Sequence, residues 1–260
     1  MPEKNSANPI EVRINAAKIG FGDWTLFDSL DLTLAAGKWT CMLGTSGVGK
    51  TTLLRLIAGL SSDNSDIDVQ CGDNLPLAGR AAYMAQQDLL LPWLPVIDNV
   101  MLGARLRGEL TRSGQLRERA IGLLSAVGLE ASLGDIPAKL SGGMRQRAAL
   151  ARTLLEDRPV VLMDEPFSAL DAITRIKLQE LAAELLADKT VLLVTHDPME
   201  ALRLGHRIHV MSGRPARLEG SIKLAGSPLR AVHDPVVLEG QADLLERLSG
   251  AEADAEAGAP

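Results

Sequence analysis

The strongest chemistry in this sequence is packed into a few consecutive positions. Residues 44–51 read Gly44-Thr45-Ser46-Gly47-Val48-Gly49-Lys50-Thr51, with Thr52 following. Gly-x-x-x-x-Gly-Lys-Ser/Thr is the spacing of a phosphate-binding loop. Glycines let the backbone turn so that several N–H groups converge on phosphate oxygens. A helix opening at this point adds partial positive charge. Lys50 then reaches the β- and γ-phosphates of a nucleotide, and the Thr51 hydroxyl ligates Mg2+. Read alone, the same octet is also a glycine-rich turn before a helix. A second cluster lies 114 positions after Lys50, where the apolar run Val160–Met163 ends in Asp164-Glu165. Neighbouring side chains on a strand point opposite ways. Asp164 can therefore join a Mg2+ shell while Glu165 faces the γ-phosphate and polarises the attacking water. Taken without the loop, the pair is equally an acidic strand-to-loop turn. Together the two clusters describe hydrolysis of a nucleoside triphosphate.

Such groups need strands ending at one edge and helices starting there. The runs 39–43, 81–84, 160–163, 191–195 and 207–211 are apolar and bounded by polar residues. That pattern suits strands covered on both faces, hence a largely parallel sheet. Between them, helical spacing marks Thr51–Leu60, Gly142–Glu156 and Asp171–Leu186, the last through Ile173, Ile176, Leu178, Leu181 and Leu185. The alternation predicts an α/β core. Residues 88–140 contain no convincing strand and read as an inserted helical block.

Composition bounds the remaining possibilities. The chain has 260 residues, 46% hydrophobic and 23% charged, which suits a globular protein rather than a disordered one. Its net charge of −6 disfavours nucleic acid as a partner, since phosphate backbones call for surplus Lys and Arg. Three of the acids fall in residues 250–260, which are expected to be a disordered tail, as are residues 1–9. The two cysteines, Cys41 and Cys71, cannot build a disulfide framework, so a reducing compartment is expected. Neither a signal peptide nor a membrane span is expected.

Leu140-Ser141-Gly142-Gly143-Met144-Arg145-Gln146-Arg147 carries the argument from chemistry to family. Physically it is a capped helix start, a second anion-binding helix N-terminus. Leu-Ser-Gly-Gly-x-x-x-Arg, 23 residues before Asp164, is also the signature of the ATP-binding cassette (ABC) ATPases, and the chain resembles that family from about residue 10 to 215. The resemblance implies an α/β fold with a P-loop NTPase core, a mainly parallel sheet, an N-terminal antiparallel β part and an inserted helical subdomain. It implies a core over 10–87 and 158–220, a helical subdomain over 88–157 and a C-terminal helical extension over 221–249. It also implies ATP and Mg2+ as cofactors and a head-to-tail dimer, in which Ser141, Gly142 and Gly143 of each copy close over the ATP held by the other.

Other positions take roles from the same resemblance. Ser168-Ala169-Leu170-Asp171 is similar to the D-loop, which communicates between the two sites. His196, 31 residues after Glu165, is similar to the switch histidine that contacts the γ-phosphate. Gln86 is similar to the Q-loop glutamine, which approaches Mg2+ or the attacking water, with Gln87 beside it as the alternative. Phe21, 29 residues before Lys50, stands where the family stacks an aromatic on adenine, and Trp24 is the alternative. Trp93, in the Pro-flanked segment 90–100, is expected as an exposed anchor for a membrane subunit; packing inside the helical block is the other reading.

Leu-Leu-Pro-Trp-Leu at 90–94, Asp-Glu-Pro-Phe-Ser-Ala-Leu-Asp at 164–171 and Met211-Ser212-Gly213-Arg214-Pro215 are similar to importers of nitrate, sulfonate, taurine and thiamine-precursor pyrimidines. Within that branch, Lys38-Trp39-Thr40-Cys41, Ala85-Gln86-Gln87-Asp88 and residues 104–108 look closest to the hydroxymethylpyrimidine type. The implied partners are integral membrane permease subunits and, indirectly, a periplasmic solute-binding protein. The implied location is peripheral, on the cytoplasmic face of the inner membrane.

Overall fold

Aliphatic runs become strands that bury both faces. In the computed structural model, β3 (Trp39–Gly44), β6 (Val160–Asp164) and β7 (Thr190–Val194) are buried at every position. With β5 (Ala81–Met84) and β8 (Arg207–Ser212) they form a parallel run in the order β8-β3-β7-β6-β5. Two short strands, β9 (Arg217–Leu218) and β10 (Ile222–Lys223), pair antiparallel with β8. The structure describes residues 8–21, 24–61, 67–109 and 113–257, and only the backbone at 16–18, 21, 24, 113 and 251–257.

A second, antiparallel sheet is ordered β2-β1-β4, from β1 (Val12–Phe21), β2 (Trp24–Leu34) and β4 (Ile67–Cys71). At its start β1 alternates, with Val12 and Ile14 buried and Arg13 and Asn15 exposed. That alternation fits a sheet with one face on the core. Ile14, Leu32, Phe27 and Leu34 pack with Met42, Leu162 and Leu192 of the parallel sheet and with Leu53 and Leu54 of α1 (Lys50–Ile57). The opposite face of the parallel sheet, through Leu43, Met163 and Leu193, packs on α5 (Gly142–Leu155) and α7 (Pro198–Leu204). The fold is thus the expected α/β architecture, with an antiparallel N-terminal sheet and a mainly parallel central one.

The helical block holds α2 (Val96–Val100), α3 (Leu102–Leu106) and α4 (Ser113–Ala126) before α5. Asn99 is fully buried and stitches this entry together: its amide donates to the Leu91 and Leu94 carbonyls, and its oxygen accepts from the Leu91 N–H.

Several expectations need correction. α1 ends at Ile57 rather than Leu60, because Gly59 turns left-handed at φ +69° and the Leu60 N–H closes back on the Arg55 carbonyl. In α6 (Ala172–Leu185), Asp171 is the cap rather than the first turn. Of the five apolar positions at helical spacing, Leu178 is buried and Leu181 half-buried; Ile173 is 69% exposed, and Ile176 and Leu185 are exposed as well. The helix buries a narrow seam through Leu178, Gln179 and Ala182. Residues 250–257 belong to α8 (Pro235–Ala257) rather than to a disordered tail. Their four Ala and two Glu are strong helix formers that extend a helix already docked upstream. Residues 222–223 pair with β8, ahead of α8 in the stretch expected as a helical extension. Residues 1–7 of the expected N-terminal tail lie outside the described residues.

Candidate active site

The phosphate loop leaves β3 at Gly44 and enters α1 at Lys50. Two glycines are sterically required. A Cβ at Gly44 would sit 2.7 Å from the Met211 carbonyl oxygen. Gly49 has φ +110°, and a Cβ there would meet Leu26 and Phe27 at 3.0 Å. The core aromatic Phe27 therefore buttresses the loop from below. Lys50 is buried, and its ammonium donates to the Gly44 and Thr45 carbonyls at 2.8 Å each. Burial pushes this lysine below its ordinary value, while the facing Glu165 and Asp164 carboxylates hold it up.

Asp164 ends β6 and is buried, with neither carboxylate oxygen in a hydrogen bond of standard geometry. Burial pushes its carboxyl above the usual range; the Thr51 hydroxyl opposes this, Glu165 adds to it and Lys50 opposes it. A desolvated, unpartnered carboxylate beside a hydroxyl is a costly arrangement that a cation relieves. Among the described residues no trio of His, Cys, Asp or Glu forms a metal cluster. Mg2+ binds through one or two protein oxygens plus substrate phosphates, and the Asp164 carboxylate beside the Thr51 hydroxyl fits that donor set.

Glu165 turns out of the strand at φ +47°, a left-handed backbone that costs a non-glycine residue about 1–2 kcal/mol. Its N–H donates to the Val194 carbonyl at 2.9 Å, which ties the turn to the end of β7. Its side chain collects two partners from distant loops. Gln86 Nε2 donates to Oε2 at 3.1 Å, and His196 Nδ1 lies 3.2 Å from Oε1. Gln86 rather than Gln87 makes this contact.

Ser141 caps α5, its hydroxyl accepting from the Met144 N–H at 3.2 Å. Ser141 and Gly142 are exposed, and a Cβ at Gly143 would lie 3.3 Å from the Ala169 carbonyl. The signature and the 168–171 turn of one chain are thus in contact. Asp171 accepts from the Thr174 N–H at 3.0 Å, and that backbone bond holds its carboxyl below the usual range. Trp93 is 70% exposed. The side chains of Phe21 and Trp24 lie outside the described residues; their backbones pair across the β1–β2 hairpin. Cys41 and Cys71 are both free and buried.

A family model described as "ABC transporter" matches residues 27–168. The chain belongs to that family. An uncharacterized ABC transporter ATP-binding protein of Haemophilus influenzae is 45% identical over 92% of this chain and 99% of its own length. Two proteins named as aliphatic sulfonates import ATP-binding proteins are also similar. One, from Rhodococcus jostii, is 46% identical over 74% of this chain and 75% of its own; the other, from Nocardia farcinica, is 39% identical over 94% of each. A dimeric ATP-binding cassette solved in a post-hydrolysis state with ADP and Pi aligns with TM-score 0.70 and 29% identity, covering 83% of this chain and 99% of that one. As an ABC cassette the chain is an ATP-binding ATPase coupled to transport. The hydroxymethylpyrimidine likeness implied by residues 38–41, 85–88 and 104–108 finds no counterpart in these names, and that refinement is withdrawn.

Sequence reading missed several groups that shape the cassette's site. Gln146 is buried on α5 and its Nε2 donates to the Pro166 carbonyl at 3.1 Å, bracing the turn after Glu165. Arg152 donates to the carbonyls of Asp88 and Leu89, and Arg145 Nε pairs with Asp88 at 3.0 Å. The segment after Gln86 is therefore clamped to the signature helix. A polar residue on the buried face of α5 was the available signal for Gln146. Nothing local marked Asp88 as a partner of residues some sixty positions away.

Proposed function

We propose that the chain is the ATP-hydrolysing subunit of an ABC importer for an aliphatic sulfonate. The observation that carries the hydrolytic role is the convergence of Gln86 and His196 on the Glu165 carboxylate, next to the unpartnered Asp164. Residues Gly44–Thr52 cradle the triphosphate, with Lys50 exchanging its carbonyl partners for phosphate oxygens. Thr51 and Asp164 would hold Mg2+, with Gln86 near its shell, and the ion would supply positive charge against the phosphates. Glu165, oriented at both oxygens, accepts the proton of the attacking water. His196 fixes that carboxylate and faces the γ-phosphate. Phe21 or Trp24 stacks on adenine.

The start of α5, exposed at Ser141 and Gly142, is not needed by a single chain for its own nucleotide. A second copy, placed head to tail, brings it to the partner's γ-phosphate, with Asp171 beside it. The dimeric relatives support this reading. Among the described residues no helix is long and apolar enough to cross a membrane. The membrane path is then supplied by permease subunits, which dock beside exposed Trp93 on the cytoplasmic face, and a periplasmic solute-binding protein delivers the solute. The helices of 88–157 act as the moving subdomain on the core of 10–87 and 158–220.

The sulfonate assignment draws on the names of the relatives. It is tested by measuring ATP hydrolysis by the chain assembled with its permease and loaded binding protein. Alkanesulfonates are expected to stimulate hydrolysis. Stimulation by nitrate alone overturns the assignment.

A further inference from the structure

Behind the Glu165–His196 contact runs a set of polar links that phosphate binding does not use. Arg175 sits in the first turn of α6. Its Nη2 donates to the Leu170 carbonyl at 3.1 Å and its Nη1 to Asp197 Oδ2 at 3.3 Å. Asp197 directly follows His196. Its Oδ1 accepts from the Met199 and Glu200 N–H groups, capping α7. Its own N–H donates to Thr195 Oγ1 at 3.1 Å, and that hydroxyl donates to the buried Glu200 at 2.5 Å. The Thr195 N–H is held by the Met42 carbonyl of β3 at 3.1 Å. The residues flanking His196 are thus anchored to the central sheet on one side and to Arg175 on the other.

The Arg175–Asp197 pair is about one-third exposed on each side, where an ion pair adds little stability. The guanidinium geometry matters more. A rigid planar fork that bonds two different loops fixes their relative position. We infer that Arg175 is a positioning residue: it joins the Leu170 carbonyl, in the Ser168–Asp171 turn, to Asp197 and so sets His196 against Glu165. Displacement of that turn is transmitted through one side chain to the histidine. The inference rests on the proposed roles of Glu165 and His196.

The test is single-turnover hydrolysis of Mg·ATP by the full chain, comparing wild type, Arg175→Met, His196→Ala and the double variant. Methionine keeps much of the alkyl stem and removes both hydrogen bonds. Arg175→Met is expected to slow the chemical step about 10- to 100-fold through misplacement, with apparent ATP affinity changed less than about twofold. In the His196→Ala background the same change is expected to cost less than about twofold more, because neighbours acting as one unit are not additive. His196→Gln replaces the alanine variant if the latter's rate falls below detection. Full additivity, or weakened ATP binding with an unchanged rate, overturns the role of Arg175 alone. A His196 variant at wild-type rate overturns the site reading and this role together.

Discussion

Glu200 gives a quantitative handle on the network behind the active site. It is 4% exposed, and only one carboxylate oxygen has a hydrogen-bond partner, the Thr195 hydroxyl. Burial disfavours its charged form most, and Asp197 and Glu165 add to that effect. The Thr195 hydrogen bond and Arg175 oppose it. Its carboxyl is pushed up from 4.5 to about 8. The folded protein therefore keeps a proton that the unfolded chain releases near pH 4.5. The associated stability is fully present below pH 4.5 and is lost as pH rises through 8. At about 1.4 kcal/mol per tenfold change in proton affinity, the loss is roughly 5 kcal/mol, with local relaxation reducing it. Glu200→Gln keeps the shape and an acceptor for Thr195 while removing the titration. Denaturant unfolding of both proteins across this pH range isolates the effect, because ionisable groups common to both cancel in the difference. The variant is expected to gain on the wild type steadily as pH rises, reaching several kcal/mol above pH 8. Parallel stability curves for the two proteins refute the buried-carboxyl account.

Other perturbations follow from the same geometry. Gly49→Ala forces a Cβ against Leu26 and Phe27 at a left-handed φ; a loss of about 1–3 kcal/mol and weaker ATP binding are expected, read by thermal melts with and without nucleotide. Phe167→Ala empties a fully buried site and is expected to cost about 3–5 kcal/mol in denaturant unfolding. Asp164→Asn removes the charge that faces Thr51 and Lys50. It is expected to raise the Mg2+ concentration needed for half-maximal hydrolysis, and an unchanged Mg2+ dependence counts against the metal assignment.

Much of the parallel sheet was legible because unbroken apolar runs have few alternatives once strand-length and flanked by turns. The phosphate loop was legible because its glycines answer local demands, such as the close approach of Met211 and Phe27. The exposed face of α6 was not, since periodicity reports a stripe and not what lies opposite it. The two-residue strands β9 and β10 are shorter than any sequence pattern can mark. Residues 250–257 misled because an acidic Ala-rich stretch reads both as a tail and as a helix. The Gln86–Glu165 hydrogen bond spans 79 positions and the Arg175–Asp197 pair 22. Such contacts are products of the strand crossover order, not of local spacing. Gln86 and Glu165 could be named as candidates from the sequence, but Arg175 and its pairing with Asp197 after His196 needed the folded chain.

The central claim is that Glu165, held by Gln86 and His196, is the base for ATP hydrolysis at the Lys50–Asp164 site. Phosphate release from Mg·ATP, measured for the wild type and Glu165→Gln at matched nucleotide occupancy, tests it most directly. Steady release by the wild type is expected, with a rate lower by ~10²–10⁴-fold in the variant and ATP binding retained. Equal rates from the two proteins contradict it.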